Sequence, residues 1–289
     1  MEFLSPRTWS DALAAREELP GAVPIAGGTD VMVELNFDRH RPDALLDLTR
    51  VDDLREWSPT DDGWVRLGAG VSFARVMSEL ARAAPGLAMA ARTVGSPQIR
   101  VRGTVGGNLG SASPAGDAHP VLLAVGAEVE VESAARGTRT MPVAEFFTGV
   151  KTSALQPDEL IAAVLLPPAG GPQQFAKVGT RNAMVIAVTS FGLALHPERR
   201  QVGAAIGSAA PTPRHASAAE DFGAEALAGL WESRAPLPDG LAERFGELVA
   251  AGAQPIDDVR GTAAYRRHAL SVLARRTLTW AWADYRKAA

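Results

Sequence analysis

The chain of 289 residues contains no cysteine. Disulfides, thiolate nucleophiles and cysteine-ligated iron–sulfur clusters are therefore excluded within it. Histidine is also scarce. The five histidines, at positions 40, 119, 196, 215 and 268, are scattered, and no carboxylates stand near them at the spacing of a metal site. We expect structural or surface roles for all five, including His119, which lies two residues from Asp117.

The sequence has no excess of basic residues. Lys and Arg number 29 against 33 Asp and Glu, which gives a net charge of −4 and a pI near 5.8. Proteins that bind nucleic acid or anionic membranes normally carry a basic surplus, so we expect neither partner.

Long apolar runs are missing as well. Stretches such as residues 121–125 and 160–166 fall far short of the roughly 20 residues that cross a bilayer. The first residues show no charged leader followed by an apolar core, which is the pattern of a signal peptide. We therefore expect no membrane insertion and predict a cytoplasmic location.

The remaining composition is that of an ordinary globular protein, with 46% hydrophobic and 21% charged residues. Apolar periodicity and turn residues predict a small α/β unit first, with a helix over 8–19, a strand over 23–26, a helical turn over 30–35 and a strand over 44–48. A second segment is predicted to hold strands over 64–69, 128–132, 139–141 and 159–166, and helices over 72–83 and 117–125.

A linker rich in proline and glycine, residues 167–172, separates this segment from the rest. Beyond it we predict strands over 175–178, 184–195 and 202–206, then helices over 216–220, 225–231, 241–250 and from about 262 to the end. Trp280 and Trp282 of the last helix are interpreted as packing or subunit-contact residues.

Two glycine-rich stretches carry most of the chemical information. Residues 24–31 read Pro-Ile-Ala-Gly-Gly-Thr-Asp-Val, and residues 102–114 read Arg-Gly-Thr-Val-Gly-Gly-Asn-Leu-Gly-Ser-Ala-Ser-Pro. A single Gly-Gly pair is more often a tight turn. Two stretches with neighbouring hydroxyl or amide side chains instead predict paired loops that donate backbone N–H groups to the phosphates of a nucleotide cofactor. A Rossmann site is rejected, because neither stretch has the G-x-G-x-x-G spacing.

With these loops in place, the sequence resembles a known family. The further matching segments are Phe3-Leu4-Ser5-Pro6, the run from residue 104 to Asp117, Phe175-Ala176-Lys177 with Arg181, Ala-Pro-Thr-Pro-Arg at 210–214 and Arg-Gly-Thr-Ala-Ala-Tyr-Arg at 260–266. In order and spacing they resemble the FAD-binding medium subunit of molybdenum hydroxylases, such as aerobic carbon monoxide dehydrogenase and xanthine dehydrogenase.

The resemblance implies an α+β fold of the p-cresol methylhydroxylase type. Two α/β FAD-binding subdomains would occupy residues 1–56 and 57–170. A C-terminal domain, residues 171–289, would combine a three-stranded antiparallel sheet with a helical bundle.

The resemblance also implies a set of FAD-binding residues. The pyrophosphate would lie between the two glycine loops, with hydrogen bonds from Thr29, Thr104 and Asn108. Asp117 would accept hydrogen bonds from ribityl or ribose hydroxyls, and Lys177 would place its charge near the pyrimidine edge of the flavin. The implied set is Pro24, Ile25, Ala26, Gly27, Gly28, Thr29, Asp30, Val31, Thr104, Gly106, Gly107, Asn108, Ser113, Asp117, Ile161 and Lys177. No residue of the chain is assigned a catalytic or metal-binding role.

One residue departs from the family pattern. Relatives often carry an acidic residue before the Ile-Ala pair that follows the lysine, and here Val185 stands in that place. The absence of cysteine also separates the chain from the subclass that binds an additional iron–sulfur cluster in this subunit.

The implied function is electron transfer within a larger complex. An iron–sulfur small subunit would deliver electrons to FAD from a large subunit that holds the molybdenum cofactor, in a dimer of heterotrimers, and the final acceptor would be a quinone, NAD or oxygen. Two alternatives stay open: a stand-alone FAD oxidoreductase that acts directly on a small molecule, and a nucleotide-binding regulatory module without redox chemistry. The substrate of the complex is not encoded in this chain.

Overall fold

The computed structural model describes residues 1–39 and 41–288, so the expectation for His40 lies outside the described residues. The strands of this part of the chain form sheets of three, five and four strands and one short hairpin. Within the same residues, no helix is both long and apolar enough to cross a membrane.

The first unit is a parallel three-stranded sheet with two helices. Its elements are β1 (Glu2–Leu4), α1 (Trp9–Glu18), β2 (Val23–Ile25), α2 (Val31–Asn36) and β3 (Ala44–Asp47). The strand order is β1-β3-β2, and all four residues of the central β3 are buried. Thr8 begins α1 as predicted, because its Oγ1 accepts the N–H of Asp11 at 3.1 Å.

The second unit is built on a five-stranded antiparallel sheet. After a short 3-10 helix (Asp52–Arg55), its elements are β4 (Trp57–Pro59), β5 (Val65–Gly68), α3 (Phe73–Glu79), α4 (Pro85–Thr93), α5 (Pro97–Arg102), α6 (Val105–Ser111), α7 (His119–Val125), β6 (Glu128–Ser133), β7 (Gly137–Pro142), α8 (Val143–Phe146), β8 (Phe147–Gly149), β9 (Thr152–Ser153) and β10 (Leu160–Leu166). The strand order is β4-β5-β10-β6-β7. The predicted alternation of residues 128–132 is confirmed, since Val129 and Val131 are buried and the flanking glutamates are partly exposed.

The helices of this unit differ from the prediction. The helix expected over 72–83 ends at Glu79, and α4 and α5 were not predicted. The second glycine-rich stretch forms the helix α6, although glycine has low helix propensity. The helix begins because Thr104 Oγ1 accepts the N–H of Gly107 at 3.0 Å, and it ends at Ala112, whose φ of +44° is left-handed. Capping and packing therefore decide this helix, which residue propensity could not indicate.

The third unit is a four-stranded antiparallel sheet followed by helices. Its elements are β11 (Gln173–Val178), β12 (Thr189–His196), a 3-10 helix (Pro197–Arg199), β13 (Gln201–Gly207), β14 (Arg214–His215), α9 (Ser217–Ala226), α10 (Leu230–Ser233), α11 (Leu241–Ala251) and α12 (Ala263–Lys287). The strand order is β11-β12-β13-β14. The three long strands match the expected sheet, and the two-residue β14 adds a fourth.

Two predictions in this unit are wrong in their bounds. The strand expected over 184–195 begins only at Thr189, and Met184 before it has a left-handed φ of +51°. The helix expected over 225–231 does not form, because α9 continues to Ala226 and α10 starts at Leu230. The packing role proposed for Trp282 is confirmed: it is 1% exposed and lies 5.2 Å, ring centre to ring centre, from Trp231.

Helix α7 of the second unit packs directly on the sheet of the third. A Cβ atom at Gly203 would lie 1.9 Å from the carbonyl oxygen of Ala124, and one at Gly192 would lie 2.5 Å from the carbonyl carbon of Pro120. No side chain fits at these strand positions, so glycine lets the helix backbone touch the sheet. This contact fixes α7 relative to β12 and β13.

Arg266 of α12 is a buried cation that ties three segments together. It is 3% exposed. Its Nη1 donates to the carbonyl oxygens of Val188 and Ser208 at 2.7 and 2.6 Å, and its Nη2 donates to Asp258 Oδ1 at 2.6 Å. The side chain thereby anchors the helix to the start of β12 and the end of β13.

We predict that Arg266→Met lowers the free energy of unfolding by about 3 kcal/mol, because two buried carbonyls lose their donor and Asp258 loses one of its two arginine partners. Arg267→Met is the matched control: Arg267 is the exposed neighbour on the same helix, and its replacement should change stability by less than about 0.5 kcal/mol. Denaturant unfolding of both variants measures the difference. Equal losses would contradict the anchoring role.

Candidate functional site

The two glycine-rich stretches meet in the structure. A Cβ atom at Gly27 would lie 1.9 Å from the carbonyl oxygen of Arg102 and 2.9 Å from Cα of Gly103. A Cβ atom at Gly103 would lie 3.5 Å from Thr29 Oγ1. The loop between β2 and α2 therefore packs with its bare backbone on the residues that precede α6, and no other residue fits at position 27.

The first loop presents a row of unused backbone donors. Within the described residues, the N–H groups of residues 27–30 donate no hydrogen bond to the protein. The chain turns here through Gly28, whose φ is +76°. Consecutive free N–H groups at a left-handed turn form a concave anion-binding cradle.

The second stretch offers a different surface. Its backbone donors are already engaged: Val105 N–H donates to Val71 O, Gly106 to Ala69 O, and Gly107 and Asn108 to Oγ1 and the carbonyl of Thr104. We predicted that this loop donates backbone N–H groups to a cofactor phosphate. At residues 105–108 these groups are already bound within the chain and are not available for that purpose.

Helix α6 instead exposes glycine backbone. Gly107 and Gly110 lie on its exposed face, and a Cβ atom at Gly110 would meet only Ile161 Cδ1 at 3.7 Å. Asn108 Oδ1 is buried without a hydrogen-bond partner in the described part of the chain. A ligand can thus approach the helix backbone closely at Gly107 and Gly110.

Asp117 and Lys177 form a buried ion pair between the second and third units. Lys177 Nζ lies 2.5 Å from Asp117 Oδ2, and the two side chains are 10% and 7% exposed. Burial raises the pKa of Asp117, and the Lys177 ammonium acts in the opposite direction. Thr93 Oγ1 also donates to Asp117 Oδ2 at 2.9 Å, whereas Oδ1 is buried and has no partner among the described residues. One oxygen of this carboxylate is thus left as an acceptor for a ligand.

The ammonium group of Lys177 is saturated. Besides Asp117, it donates to the carbonyl oxygens of Thr93 at 2.9 Å and of Val185 at 3.1 Å. An ammonium has three donors, so all three are engaged within the chain. Local sequence patterns could not indicate these partners, since Asp117 lies 60 positions away.

The other sequence-predicted residues lie on β2, the first loop, α2, β10 and the turn after α6. Pro24 and Ile25 belong to β2, residues 26–30 form the first loop, and Val31 begins α2. Ser113 follows α6, where its Oγ accepts the N–H of Ala115 at 3.3 Å. The structure thus gathers the predicted residues of the second stretch near β10, with Lys177 reaching Asp117 from β11.

His119 was expected from the sequence to have a structural or surface role. It is fully buried at the start of α7, its Nε2 lies 3.1 Å from the carbonyl oxygen of Asn108, and its ring lies 4.5 Å from that of Phe147. Burial lowers the pKa of His119 to about 4. Its distance of two residues from Asp117 was the only available signal, and that signal did not distinguish a surface from a buried position.

The arrangement fits a large nucleotide cofactor. The first loop supplies free N–H donors for phosphate, Asn108 and Asp117 each keep an unsatisfied buried oxygen, and α6 presents glycine where a side chain would block approach. Among the described residues, no group of three or more His, Asp or Glu side chains could hold a metal ion.

We predict that His119 lowers the stability of the folded chain as the pH falls through a defined window. Its pKa is lowered in the folded state, so the unfolded chain binds the proton first and stability is lost as pH falls from about 6.5 towards 4. Relative to His119→Gln, which has no imidazole, the wild type should lose about 3 kcal/mol over this window. Unfolding free energies of both proteins at several pH values test this. Parallel pH profiles would contradict it.

Comparisons with known proteins show the family of the chain. The model of the FAD-binding domain in molybdopterin dehydrogenase matches residues 1–169, and the model of the carbon monoxide dehydrogenase flavoprotein C-terminal domain matches residues 174–281. The nicotine 6-hydroxylase medium subunit of Paenarthrobacter nicotinovorans is 32% identical over 292 residues, with 98% of each chain covered. The nicotinate dehydrogenase FAD-subunit of Eubacterium barkeri is 34% identical over 204 residues, which cover 67% of this chain and 68% of that protein.

Solved structures show the same fold over the whole chain. A chain of carbon monoxide dehydrogenase from Hydrogenophaga pseudoflava aligns with a TM-score of 0.86 at 25% identity, with 98% of both chains covered. A chain of quinoline 2-oxidoreductase from Pseudomonas putida 86 aligns with a TM-score of 0.89 at 23% identity and shares the fold. Since the first family model alone matches more than half of the sequence, the chain belongs to the family of FAD-binding subunits of molybdopterin dehydrogenases.

Proposed function

We propose that this chain binds FAD as the flavin subunit of a molybdenum hydroxylase complex, takes electrons from the iron–sulfur clusters of a partner chain and passes them to an external acceptor. The observation that carries the proposal is the row of free N–H groups at residues 27–30, held against the start of the second glycine stretch by the contact of Gly27 with Arg102. When bound, FAD would supply the redox chemistry. The residues of the chain hold and orient it.

The first loop is proposed to hold the pyrophosphate. A phosphate group needs several donors and close backbone approach, and residues 27–30 offer both. The hydroxyl of Thr29 adds a donor beside them. Gly106 serves the site indirectly, because a Cβ atom there would lie 2.4 Å from Cβ of Ala69 and push α6 out of place.

Two buried oxygens are proposed to orient the rest of the cofactor. Asn108 Oδ1 and Asp117 Oδ1 lack partners within the described residues, and an unsatisfied buried acceptor costs free energy until a donor reaches it. The hydroxyl groups of a ribityl or ribose unit are such donors. Binding would therefore be strengthened by satisfying both oxygens at once.

Lys177 supports the site through Asp117. With its three donors engaged by Asp117 Oδ2 and two carbonyls, it fixes the carboxylate so that Oδ1 faces away from the ion pair. The expected placement of its charge near the flavin pyrimidine stays a prediction. Val185 takes part through its carbonyl oxygen, a role that does not depend on the side chain at this position.

The surrounding assembly is proposed from the relatives. Their names describe medium and other subunits of larger enzymes. For this chain we propose an iron–sulfur small subunit and a molybdenum-cofactor large subunit as partners, in a dimer of heterotrimers in the cytoplasm. We also propose that the chain divides into domains at residues 1–56, 57–170 and 171–289, a division supported by the three separate sheets.

We predict that Gly107→Leu removes bound flavin without unfolding the chain. Gly107 is exposed, and a Cβ atom there meets only Thr104 Oγ1 at 3.0 Å, so a leucine would project into the proposed cofactor surface. Gly170→Leu is the control, because Gly170 is also exposed but lies in the linker, where a Cβ atom would meet nothing within 4 Å. Visible absorbance after native purification measures flavin content. A colourless wild type, or a yellow Gly107→Leu variant, would contradict the proposal that FAD binds at this surface.

We predict that native purification recovers this chain with partner chains that contain iron and molybdenum. The chain has no cysteine and offers, in its described part, no metal-binding group, so the same chain produced alone should contain neither metal. Metal analysis and sequencing of the copurifying chains provide the measurement. Turnover of a small substrate by the single chain would favour the stand-alone oxidoreductase instead.

A further inference from the structure

The carbonyl oxygen of Asn108 has lost its usual helical partner. Helix α6 ends early, because the N–H of Ala112 donates to Leu109 O at 2.8 Å. Carbonyls in the last turn of a helix need other donors. Ser111 Oγ supplies one at 2.8 Å, and His119 Nε2 supplies the other at 3.1 Å. His119 thus connects α7, through a hydrogen bond, to the backbone of Asn108, a residue proposed to bind the cofactor.

The imidazole of His119 is itself held in place. Its ring packs at 4.5 Å, centre to centre, against Phe147. On another side it meets Gly116, where a Cβ atom would lie 2.2 Å from Cε1 of the ring. The ring is fully buried, and burial lowers the pKa of His119 to about 4, so it is neutral at pH 7. A neutral imidazole has one N–H, and its place opposite a carbonyl assigns that proton to Nε2.

We propose that His119 is a positioning residue that holds the backbone of Asn108 so that the side-chain oxygen of Asn108 stays turned towards the cofactor. This inference rests on the proposed FAD-binding function. Asn108 Oδ1 is buried and has no partner in the described part of the chain, so its orientation decides whether a donor of the cofactor can reach it. His119 acts through Asn108 and does not itself touch the cofactor.

The test compares two amides at position 119. In His119→Gln the amide nitrogen reaches roughly the place of Nε2 and can still donate to Asn108 O, whereas the shorter side chain of His119→Asn cannot. Loss of one such hydrogen bond corresponds to about a tenfold change in affinity. We expect the FAD dissociation constant of the full chain to rise about tenfold in His119→Asn and less than about threefold in His119→Gln.

His196 provides the matched control. It lies beside the other end of α7, where its Nε2 lies 3.0 Å from the carbonyl oxygen of Ala124, and burial lowers its pKa as well. His196→Asn therefore removes the same kind of bond far from Asn108. We expect this variant to lose stability without a change in FAD affinity or in the visible circular dichroism of bound flavin, a signal that His119→Asn should alter.

The outcomes separate this inference from the proposed function. If the wild type fails to bind FAD, alone or in its native complex, the proposed function fails and the inference falls with it. If the wild type binds FAD but His119→Asn binds equally well, or His119→Gln is as weak as His119→Asn, only the role of His119 is overturned.

Hydrogen exchange of the cofactor-free chain gives a second measurement. Faster exchange confined to residues 108–113 is expected in His119→Asn and not in His119→Gln. Uniformly faster exchange throughout α7 in both variants would show a merely structural histidine and overturn the proposal.

Discussion

The site depends on one steric constraint, the direct backbone contact between Gly27 and residues 102–103. Only a residue without Cβ permits it, since a Cβ atom at position 27 would lie 1.9 Å from a carbonyl oxygen. The contact joins a loop of the parallel sheet to the segment that leads into α6. Because of this contact, the free N–H groups of residues 27–30 and the glycine face of α6 belong to one surface, although the loop is part of the first unit and the helix is part of the second.

Helix α7 connects the second unit, which contains α6, to the sheet of the third unit. The glycines of β12 and β13 let its backbone touch the sheet, which brings Lys177 of β11 within 2.5 Å of Asp117. A buried ion pair of this kind adds little net stability, because desolvation offsets the attraction, but losing one partner is costly. The main effect of the pair is therefore to fix the orientation of Asp117. Because Lys177 is also bound to two carbonyls, the carboxylate can adopt few orientations.

Sequence patterns predicted the parts of the fold that local periodicity controls. The alternation in β6, the cap of Thr8 on α1 and the three long strands of the C-terminal sheet were all visible in this way. The helix α6 was not, because its residues have poor helix propensity and its stability comes from Thr104 and from packing on Ala69. The acceptors that Lys177 binds were equally hidden, since they lie 84, 60 and 8 positions away in sequence.

The titratable groups of the site show what the chain itself can contribute. Among the described residues, Asp117 is committed to an ion pair, Lys177 has no free donor, and burial keeps His119 neutral. A residue that exchanges protons with a substrate needs access to that substrate, and all three groups are buried or have their donors engaged within the chain. Each instead holds a fixed charge or a fixed hydrogen bond beside the cofactor surface. A site built this way orients a redox cofactor and tunes its surroundings, which is the protein's usual share of cofactor chemistry.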